Sequence, residues 1–251
     1  MSFPHIATVL ERRNPLSEEK IRLSLDILYE DNHLLAVAKP AGLPTMGVAP
    51  QRPSLLALAK EYLKERYRKP GNVYLGVVSR LDAPVTGVVL FARTSKAARR
   101  LSEQFRTGQV LKLYWAAVEG QVRSEQGLYV DWLVHDQRHR RVHITHNGRP
   151  GAREARLTFR RLRAAFGLSV LEIQLDTGRK HQIRVQLAHR GYPVVGDRKY
   201  GSRRDFPCGI ALHARRLVVL HPVRHQRLEL VAPLPASWSS LGSLAQGLRG
   251  G

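Results

Sequence analysis

The pattern of apolar and polar positions predicts short strands and one helix in the first quarter of the chain. Residues 26–39 (DILYEDNHLLAVAK) form two apolar stretches around a polar turn at 30–33, which is typical of a β-hairpin. Residues 40–53 are rich in proline and glycine and predict a loop. Residues 54–67 (SLLALAKEYLKERY) have apolar side chains at helical spacing, and Ser54 is typical of an N-cap.

The middle of the chain predicts further strands and a second helix. The apolar run at 87–92 (GVVLFA) indicates a strand, and the helix after it is capped by Thr94 or Ser95 and closed by Gly108. Residues 110–120 alternate as a strand does. Residues 129–163 alternate on both sides of the turn HNGRPG, which predicts one long basic hairpin.

The last third predicts a strand, a Thr-Gly-Arg turn and a helix over residues 168–191, with Gly191 ending the helix. We expect an N-terminal arm at 1–24 with a short helix around 17–24, a catalytic domain at 25–235, and a tail at 236–251 with one short helix and a frayed end. Strands outnumber helices and occur in hairpins. The pattern therefore predicts an α+β fold with a mixed, mostly antiparallel sheet and flanking helices.

Charge is the unusual feature of the composition. The 251 residues include 41 Lys and Arg against 20 Asp and Glu, a formal net charge of +21, which favours a polyanionic partner such as nucleic acid. A single cysteine, Cys208, excludes an intrachain disulfide and a thiolate zinc site. Neither a secretory signal nor an apolar run of membrane-spanning length is evident. We expect a cytoplasmic, monomeric protein that does not associate with membranes.

Three polar residues are candidates for catalysis. Asp82, in VSRLDAPVTG, lies just before the apolar strand, and an aspartate at such a place is ordinarily a turn-forming residue. A carboxylate in a water-poor cleft needs a cation to stay ionised. Arg184 lies at the border of the buried face of its helix, which is unusual for an arginine without a partner, although it could also extend into solvent. Tyr114 suits either sheet packing or stacking on an extruded base.

The basic hairpin is the candidate surface for phosphate contacts. Between residues 134 and 165 there are nine arginines and two acidic residues, an excess that predicts salt-dependent RNA binding or simply a solvated charged face. The same segment contains four closely spaced histidines. A cation site among arginines is electrostatically poor, so we expect no metal there. The histidines are His135, His139, His143 and His146.

Common cofactor motifs are absent from the sequence. It contains no GxxxxGK[ST] loop, no GxGxxG after a strand, no HExxH and no GxSxG. We therefore expect no nucleotide, nicotinamide or zinc cofactor.

Five segments in a fixed order resemble the RluA-type family of RNA pseudouridine synthases, over about residues 25–235. The segments are ILYEDNHLLAVAKPAGLPT (27–45), SRLDAPVTGVVLFA (79–92), KLYWAAVEG (112–120), LDTGRKHQIRVQLAHRGYPVVGDRKYG (175–201) and LHARRLVV (212–219).

The resemblance implies a pseudouridine synthase fold with a basic cleft across its middle, and a reaction that detaches uracil, rotates it and rejoins it through C5 without cofactor or metal. It implies that Asp82 is the essential aspartate, acting at the ribose or as a nucleophile, and that Arg184 pairs with it. It implies that Tyr114 packs on the base and can assist proton removal. It also implies that Arg80 fills the space that a flipped-out nucleotide leaves. The further candidates for RNA binding are Arg138, Arg140, Arg141, Arg179 and Lys180.

Three motifs depart from the family pattern and leave substrate choice open. Ser79 replaces a histidine before the RLD motif, Val85 and Thr86 occupy the place of a Thr-Ser step, and Gln186 stands where a histidine is frequent. We predict an enzyme that isomerises uridine in ribosomal or transfer RNA. An RNA-binding assembly factor that has lost catalysis and a hydrolase that releases free uracil are the alternatives.

Overall fold

The computed structural model describes residues 25–47, 49 and 52–248. The predicted arm at 1–24 and its helix lie outside these residues. The strands are β1 (Asp26–Glu30), β2 (Leu34–Lys39), β3 (Gly76–Val77), β4 (Thr86–Ala92), β5 (Leu111–Glu119), β6 (Gln126–Asp136), β7 (Arg141–Thr145), β8 (Arg153–Ala165), β9 (Leu168–Leu175), β10 (Leu212–Leu220) and β11 (Arg227–Val231). The helices are α1 (Leu55–Arg66), α2 (Ser95–Arg106) and α3 (Gln182–His189), with 3-10 segments at Arg198–Tyr200 and Ala236–Ala245.

Within the described ranges, the strands form one mixed sheet that is antiparallel except at a single pair. Its order is β1-β2-β4-β10-β5-β9-β8-β6-β7, with β3 added to β4 and β11 added to β10. The parallel pair is β4 with β10, and β10 is antiparallel to β5 on its other side. The predicted α+β class with a mostly antiparallel sheet is confirmed. This order places β4, β10 and β5 side by side at the centre of the sheet.

The predicted hairpin and helix ends are confirmed in detail. β1 and β2 pair as an antiparallel hairpin. Ser54 caps α1, because its hydroxyl accepts a hydrogen bond from the N–H of Ala57 at 3.2 Å. Thr94, rather than Ser95, caps α2 in the same way through the N–H of Ala97 at 3.1 Å.

The long basic hairpin predicted at 129–163 is wrong in its pairing. Two strands were expected around the turn HNGRPG, but the structure has three, and β6 pairs with both β7 and β8. The tight reversal is at residues 137–140, where Arg140 has a positive φ of 51°, and HNGRPG only carries the chain from β7 across to β8. Turn residues indicate where a chain reverses, but they do not say which strands pair afterwards.

The C-terminal segment packs against the core instead of fraying within the described residues. Trp238 in the segment Ala236–Ala245 is 0% exposed, and Leu244 and Leu248 are buried in the same apolar cluster as β5 and β9. The short helix predicted for the tail is present as this 3-10 segment. Among the described helices, none combines the length and apolar character needed to cross a membrane.

The close contact between β4 and β10 depends on a glycine. Gly87 has a φ of 118°, and a Cβ atom there would lie 2.3 Å from the carbonyl oxygen of Ala214. Only glycine permits both this backbone conformation and this approach. The contact fixes the start of β4, and with it the turn that carries Asp82.

Candidate active site

A cavity of about 1180 Å³ opens at the centre of the sheet, over β4, β10 and β5. Its wall is completed by the loop at 44–47, the turn before β4, the end of α2 and the segment that joins β9 to α3. Eight Lys or Arg residues and two Asp residues line it, so the wall carries an excess of positive charge. Asp82, Tyr114 and Arg184 all belong to this lining.

Hydrogen bonds from the proline- and glycine-rich loop hold the turn that carries Asp82. The Thr45 hydroxyl accepts from the N–H of Leu81 at 3.1 Å and donates to the carbonyl oxygen of Leu81 at 2.9 Å. The carbonyl oxygen of Ala83 accepts from the N–H of Gly42 at 2.8 Å and from Nζ of Lys39 at 3.0 Å. Both neighbours of Asp82 are therefore fixed, and the turn presents the carboxylate to the cavity.

Lys39 is the buried anchor of this arrangement. It is 1% exposed, and its Nζ also donates to the carbonyl oxygens of Pro40 at 2.8 Å and Leu43 at 2.7 Å. Three donated hydrogen bonds use the full capacity of an ammonium group. The sequence pattern gave Lys39 no role, since an ordinary strand-end lysine has the same local appearance.

Arg184 lies between two carboxylates. Its Nη1 donates to Oδ2 of Asp82 at 2.8 Å, and its Nε and Nη2 donate to the two carboxylate oxygens of Asp197 at 2.6 and 2.9 Å. Arg184 is 5% exposed and Asp197 is 2% exposed. Burial alone favours a lower pKa, but the two carboxylates raise the pKa of Arg184 above its ordinary value, so the guanidinium is charged.

Asp197 was missed in the sequence although it lies in the segment GDRKYG. The sequence indicated such a residue only indirectly. The pattern placed Arg184 at a buried face with Asp82 as its one carboxylate partner, and a buried guanidinium needs further acidic partners. The carboxylate of Asp82 itself is half-buried, and none of the described residues hydrogen-bonds to its Oδ1. One oxygen of Asp82 is therefore anchored, and the other has no hydrogen-bond partner in the described part of this cavity-lining residue's surroundings.

Tyr114 extends from β5 into the cavity beside Asp82. It packs against the buried apolar cluster that contains Trp115, Ile173 and Leu212, and it is partly buried. Burial, and then the negative charge of Asp82, raise the pKa of Tyr114 above its ordinary value. The phenol is therefore neutral, and in the part of the chain that the structure describes no group hydrogen-bonds to its hydroxyl.

The structure brings most of the candidate RNA-binding residues to one opening. Arg80, Arg140, Arg179 and Lys180 line the cavity and are exposed. Arg141 lies beside them on β7, 5.2 Å above the ring of Tyr200, whereas Arg138 is exposed in the turn at 137–140 and is not part of the lining.

Two of the four histidines in the basic segment contact different partners. Nε2 of His135 lies 2.8 Å from Nζ of Lys180, and Nδ1 of His139 lies 2.7 Å from Oδ2 of Asp136. Across residues 25–47, 49 and 52–248, no group of three or more His, Cys, Asp or Glu side chains is placed to hold a metal ion.

The residues that differ from the family pattern have structural partners. Oγ of Ser79 accepts from the N–H of Leu90 at 2.9 Å, and Oγ1 of Thr86 lies 2.8 Å from Nδ1 of His213. The amide of Gln186 donates to Oδ2 of Asp131 at 2.7 Å. Ser79 and Val85 line the cavity, whereas Thr86 and Gln186 do not.

The sequence and the fold match one family of RNA-modifying enzymes. The sequence model for RNA pseudouridylate synthase matches residues 33–189. Ribosomal large subunit pseudouridine synthase D of Xylella fastidiosa is 36% identical over 231 residues, which cover 85% of this chain and 67% of that protein. The tRNA pseudouridine synthase C of Pectobacterium carotovorum is 32% identical over 235 residues, 86% of this chain and 61% of that protein.

Solved structures agree with the sequence relatives. Human RNA pseudouridylate synthase domain containing 1 superposes with a TM-score of 0.67 at 25% identity, covering 89% of this chain and 88% of that one. Human RNA pseudouridylate synthase domain containing 4 has the same fold, with a TM-score of 0.74 at 24% identity over 91% of this chain and 98% of that one. The chain belongs to the RNA pseudouridylate synthase family. It is an RNA pseudouridine synthase, as the sequence predicted.

Proposed function

We propose that this enzyme isomerises uridine in ribosomal or transfer RNA and that Asp82 is the carboxylate that acts on the target nucleotide. The observation that carries this proposal is the asymmetry of Asp82. Its Oδ2 lies 2.8 Å from Nη1 of Arg184, while its Oδ1 has no hydrogen-bond partner among the described residues and the residue lines the cavity. The relatives include both a ribosomal and a transfer RNA pseudouridine synthase.

The atoms and electrons of this isomerisation balance without a redox partner or a co-substrate. The bond from C1′ to N1 breaks, a bond from C1′ to C5 forms, the C5 proton leaves and N1 gains a proton. The protein has to supply an ionised group beside the sugar, a place in which the base can turn, and a route for one proton. The ion pair with Arg184 places a cation 2.8 Å from Oδ2 of Asp82, in a site from which the nucleotide excludes water.

Tyr114 supplies the surface against which the base packs. Because burial keeps its phenol neutral, we assign it to stacking and hydrogen bonding and not to proton removal as a phenolate. An aromatic face holds an unstacked base regardless of the base's rotation, which suits a reaction in which the uracil turns.

The basic rim holds the RNA while the nucleotide is extruded. Base flipping costs a few kcal/mol in lost stacking and pairing, and phosphate contacts help to offset it. We assign these contacts to Arg140, Arg179 and Lys180 at the opening, and we assign Arg80 to the space left in the RNA helix. Arg138 and Arg141 extend the same charged surface along the β6–β7 hairpin.

Mapping of pseudouridine in total RNA tests the proposal. RNA from a strain without this gene is compared with RNA from the same strain carrying it, and purified protein is then added to the deletion-strain RNA without metal. We expect at least one ribosomal or transfer RNA uridine to become pseudouridine in both settings. Release of free uracil would identify a hydrolase. Tight, salt-sensitive RNA binding without any new pseudouridine would identify the assembly factor instead.

A further inference from the structure

A histidine without an assigned role lies directly beside Asp82. His181 immediately precedes α3, lines the cavity, and has its Nε2 3.6 Å from Oδ2 of Asp82. Its side chain is 9% exposed. The distance is longer than a hydrogen bond, and such contacts in substrate-free sites shorten when the substrate binds.

The other ring nitrogen of His181 is fixed by Tyr200. Nδ1 lies 2.8 Å from the Tyr200 hydroxyl, and that hydroxyl accepts a hydrogen bond from the N–H of Val142 at 3.0 Å. With Val142 donating, the phenolic proton has Nδ1 as its acceptor. The tautomer that satisfies every partner therefore carries its proton on Nε2, the nitrogen that faces Asp82.

The electrostatic surroundings keep this imidazole neutral. Burial lowers the pKa of His181 to about 4. The charge of Asp82 opposes this effect, and the cations Arg184, Lys180 and Lys199 add to it. A neutral ring with a proton on Nε2 is a hydrogen-bond donor that brings no further charge to the ion pair of Asp82 with Arg184.

The backbone of His181 is held in an uncommon conformation. Its φ is 54° and its ψ is 18°, in the left-handed region, where histidine is tolerated better than most residues. The neighbouring Gln182 locks this conformation. Its side-chain oxygen accepts from the Thr177 hydroxyl at 2.8 Å and from the N–H of Arg179 at 3.0 Å. This conformation directs the imidazole between Tyr200 and Asp82.

From this geometry we propose that His181 is a positioning residue for Asp82. The Tyr200 hydroxyl fixes the tautomer of His181 in which Nε2 carries the proton. When RNA fills the cavity, this Nε2–H becomes the second hydrogen-bond donor to Oδ2 of Asp82. Arg184 and His181 together then fix Oδ2, so that Oδ1 is the oxygen that meets the nucleotide. The inference rests on the proposed role of Asp82.

A matched pair of substitutions at one position tests the inference. His181→Leu removes both ring nitrogens, whereas His181→Gln keeps an amide N–H near the position of Nε2. Under single-turnover conditions we expect His181→Leu to slow pseudouridine formation by about 10- to 100-fold, which corresponds to one lost hydrogen bond to a charged group. We expect His181→Gln to recover most of the rate, with RNA affinity unchanged in both.

Tyr200→Phe provides a second variant that keeps the ring. Its aromatic face remains near Arg184, 5.1 Å from the guanidinium carbon, and only the hydroxyl that orients His181 is lost. We expect a slower reaction at unchanged RNA affinity. His189→Leu, an exposed position on α3, serves as the control and retains the wild-type rate.

Asp82→Asn, measured in parallel, separates the two proposals. If Asp82→Asn is inactive while His181→Leu and Tyr200→Phe react at the wild-type rate, His181 does not position Asp82 and the proposed function stands. Folded His181→Leu and His181→Gln variants with equal rates would also overturn the inference. An active Asp82→Asn would reject the proposed role of Asp82 itself.

Discussion

Both carboxylate oxygens of Asp197 accept hydrogen bonds from the guanidinium of Arg184, at 2.6 and 2.9 Å. Both side chains are almost completely buried. Because Asp197 uses Nε and Nη2, Nη1 of Arg184 is the nitrogen that donates to Asp82. A residue outside the cavity lining therefore holds the guanidinium that contacts Asp82. A buried arginine without this partner would be an uncompensated charge beside the apolar core.

Replacement of Asp197 by Asn should damage both stability and catalysis. We expect the free energy of unfolding to fall by about 3 kcal/mol, because one partner of a buried ion pair is removed. The rate should fall as well, since Arg184 is no longer held in place. Urea denaturation and single-turnover assays measure the two effects.

Asp205→Asn is the matched control for this change. Asp205 also pairs with an arginine, Arg198, at 2.6 Å, but its side chain is 92% exposed. Its loss should change the free energy of unfolding by no more than about 0.5 kcal/mol. Equal losses in the two variants would contradict the importance assigned to burial.

Replacement of Lys39 by Met should loosen the turn that carries Asp82. The carbonyl oxygens of Pro40 and Leu43 would lose the Lys39 ammonium donor in a buried site. We expect a loss of about 2 kcal/mol in the free energy of unfolding and a slower reaction. Lys60→Met, at an exposed position of α1, is the control. A fully active and equally stable Lys39→Met protein would show that the loop does not need this anchor.

Local patterns in the sequence predicted most elements of the fold, including the β1–β2 hairpin and the caps of α1 and α2. They failed at β6, β7 and β8, because the pairing of β6 with β8 joins residues separated by a whole strand and two turns. No local periodicity encodes that choice of partner.

The site was predictable where a family motif names its residues, and less so elsewhere. The contact of Asp82 with Arg184 joins positions 102 residues apart, and the resemblance supplied that pairing. Asp197, His181 and Lys39 have ordinary surroundings in the sequence. Their roles come from tertiary neighbours, namely a buried guanidinium, a tyrosine hydroxyl and three carbonyl oxygens.

Acid should destabilise the protein through a second buried histidine. Burial lowers the pKa of His213 from 6.5 to about 4. Because the folded pKa lies below the unfolded one, the stabilising contribution is complete above pH 6.5 and is lost as the pH falls to about 4.

His213→Gln isolates this effect. Between these two pH values the free energy of unfolding of the wild type should fall by about 3 kcal/mol more than that of the variant. Urea denaturation at a series of pH values measures both slopes. Parallel curves would show that protonation of His213 is not responsible.

RNA binding should weaken when a rim arginine is removed. Arg140 is exposed and lines the cavity opening. Arg140→Gln should reduce RNA affinity and lower the slope of log affinity against log salt by about 0.7 to 0.9, the value for one lost phosphate contact. Arg99→Gln, an exposed change on α2 outside the cavity lining, should leave the slope unchanged. Identical slopes in the two variants would remove Arg140 from the RNA-binding surface.

The proposed role of Asp82 is tested most directly by single-turnover conversion of a mapped RNA substrate with Asp82→Asn. This variant keeps the size of the side chain and removes its charge. The account predicts that pseudouridine formation slows by at least about 1000-fold while RNA affinity stays at the wild-type value. Formation of pseudouridine at the wild-type rate by the folded variant would contradict it.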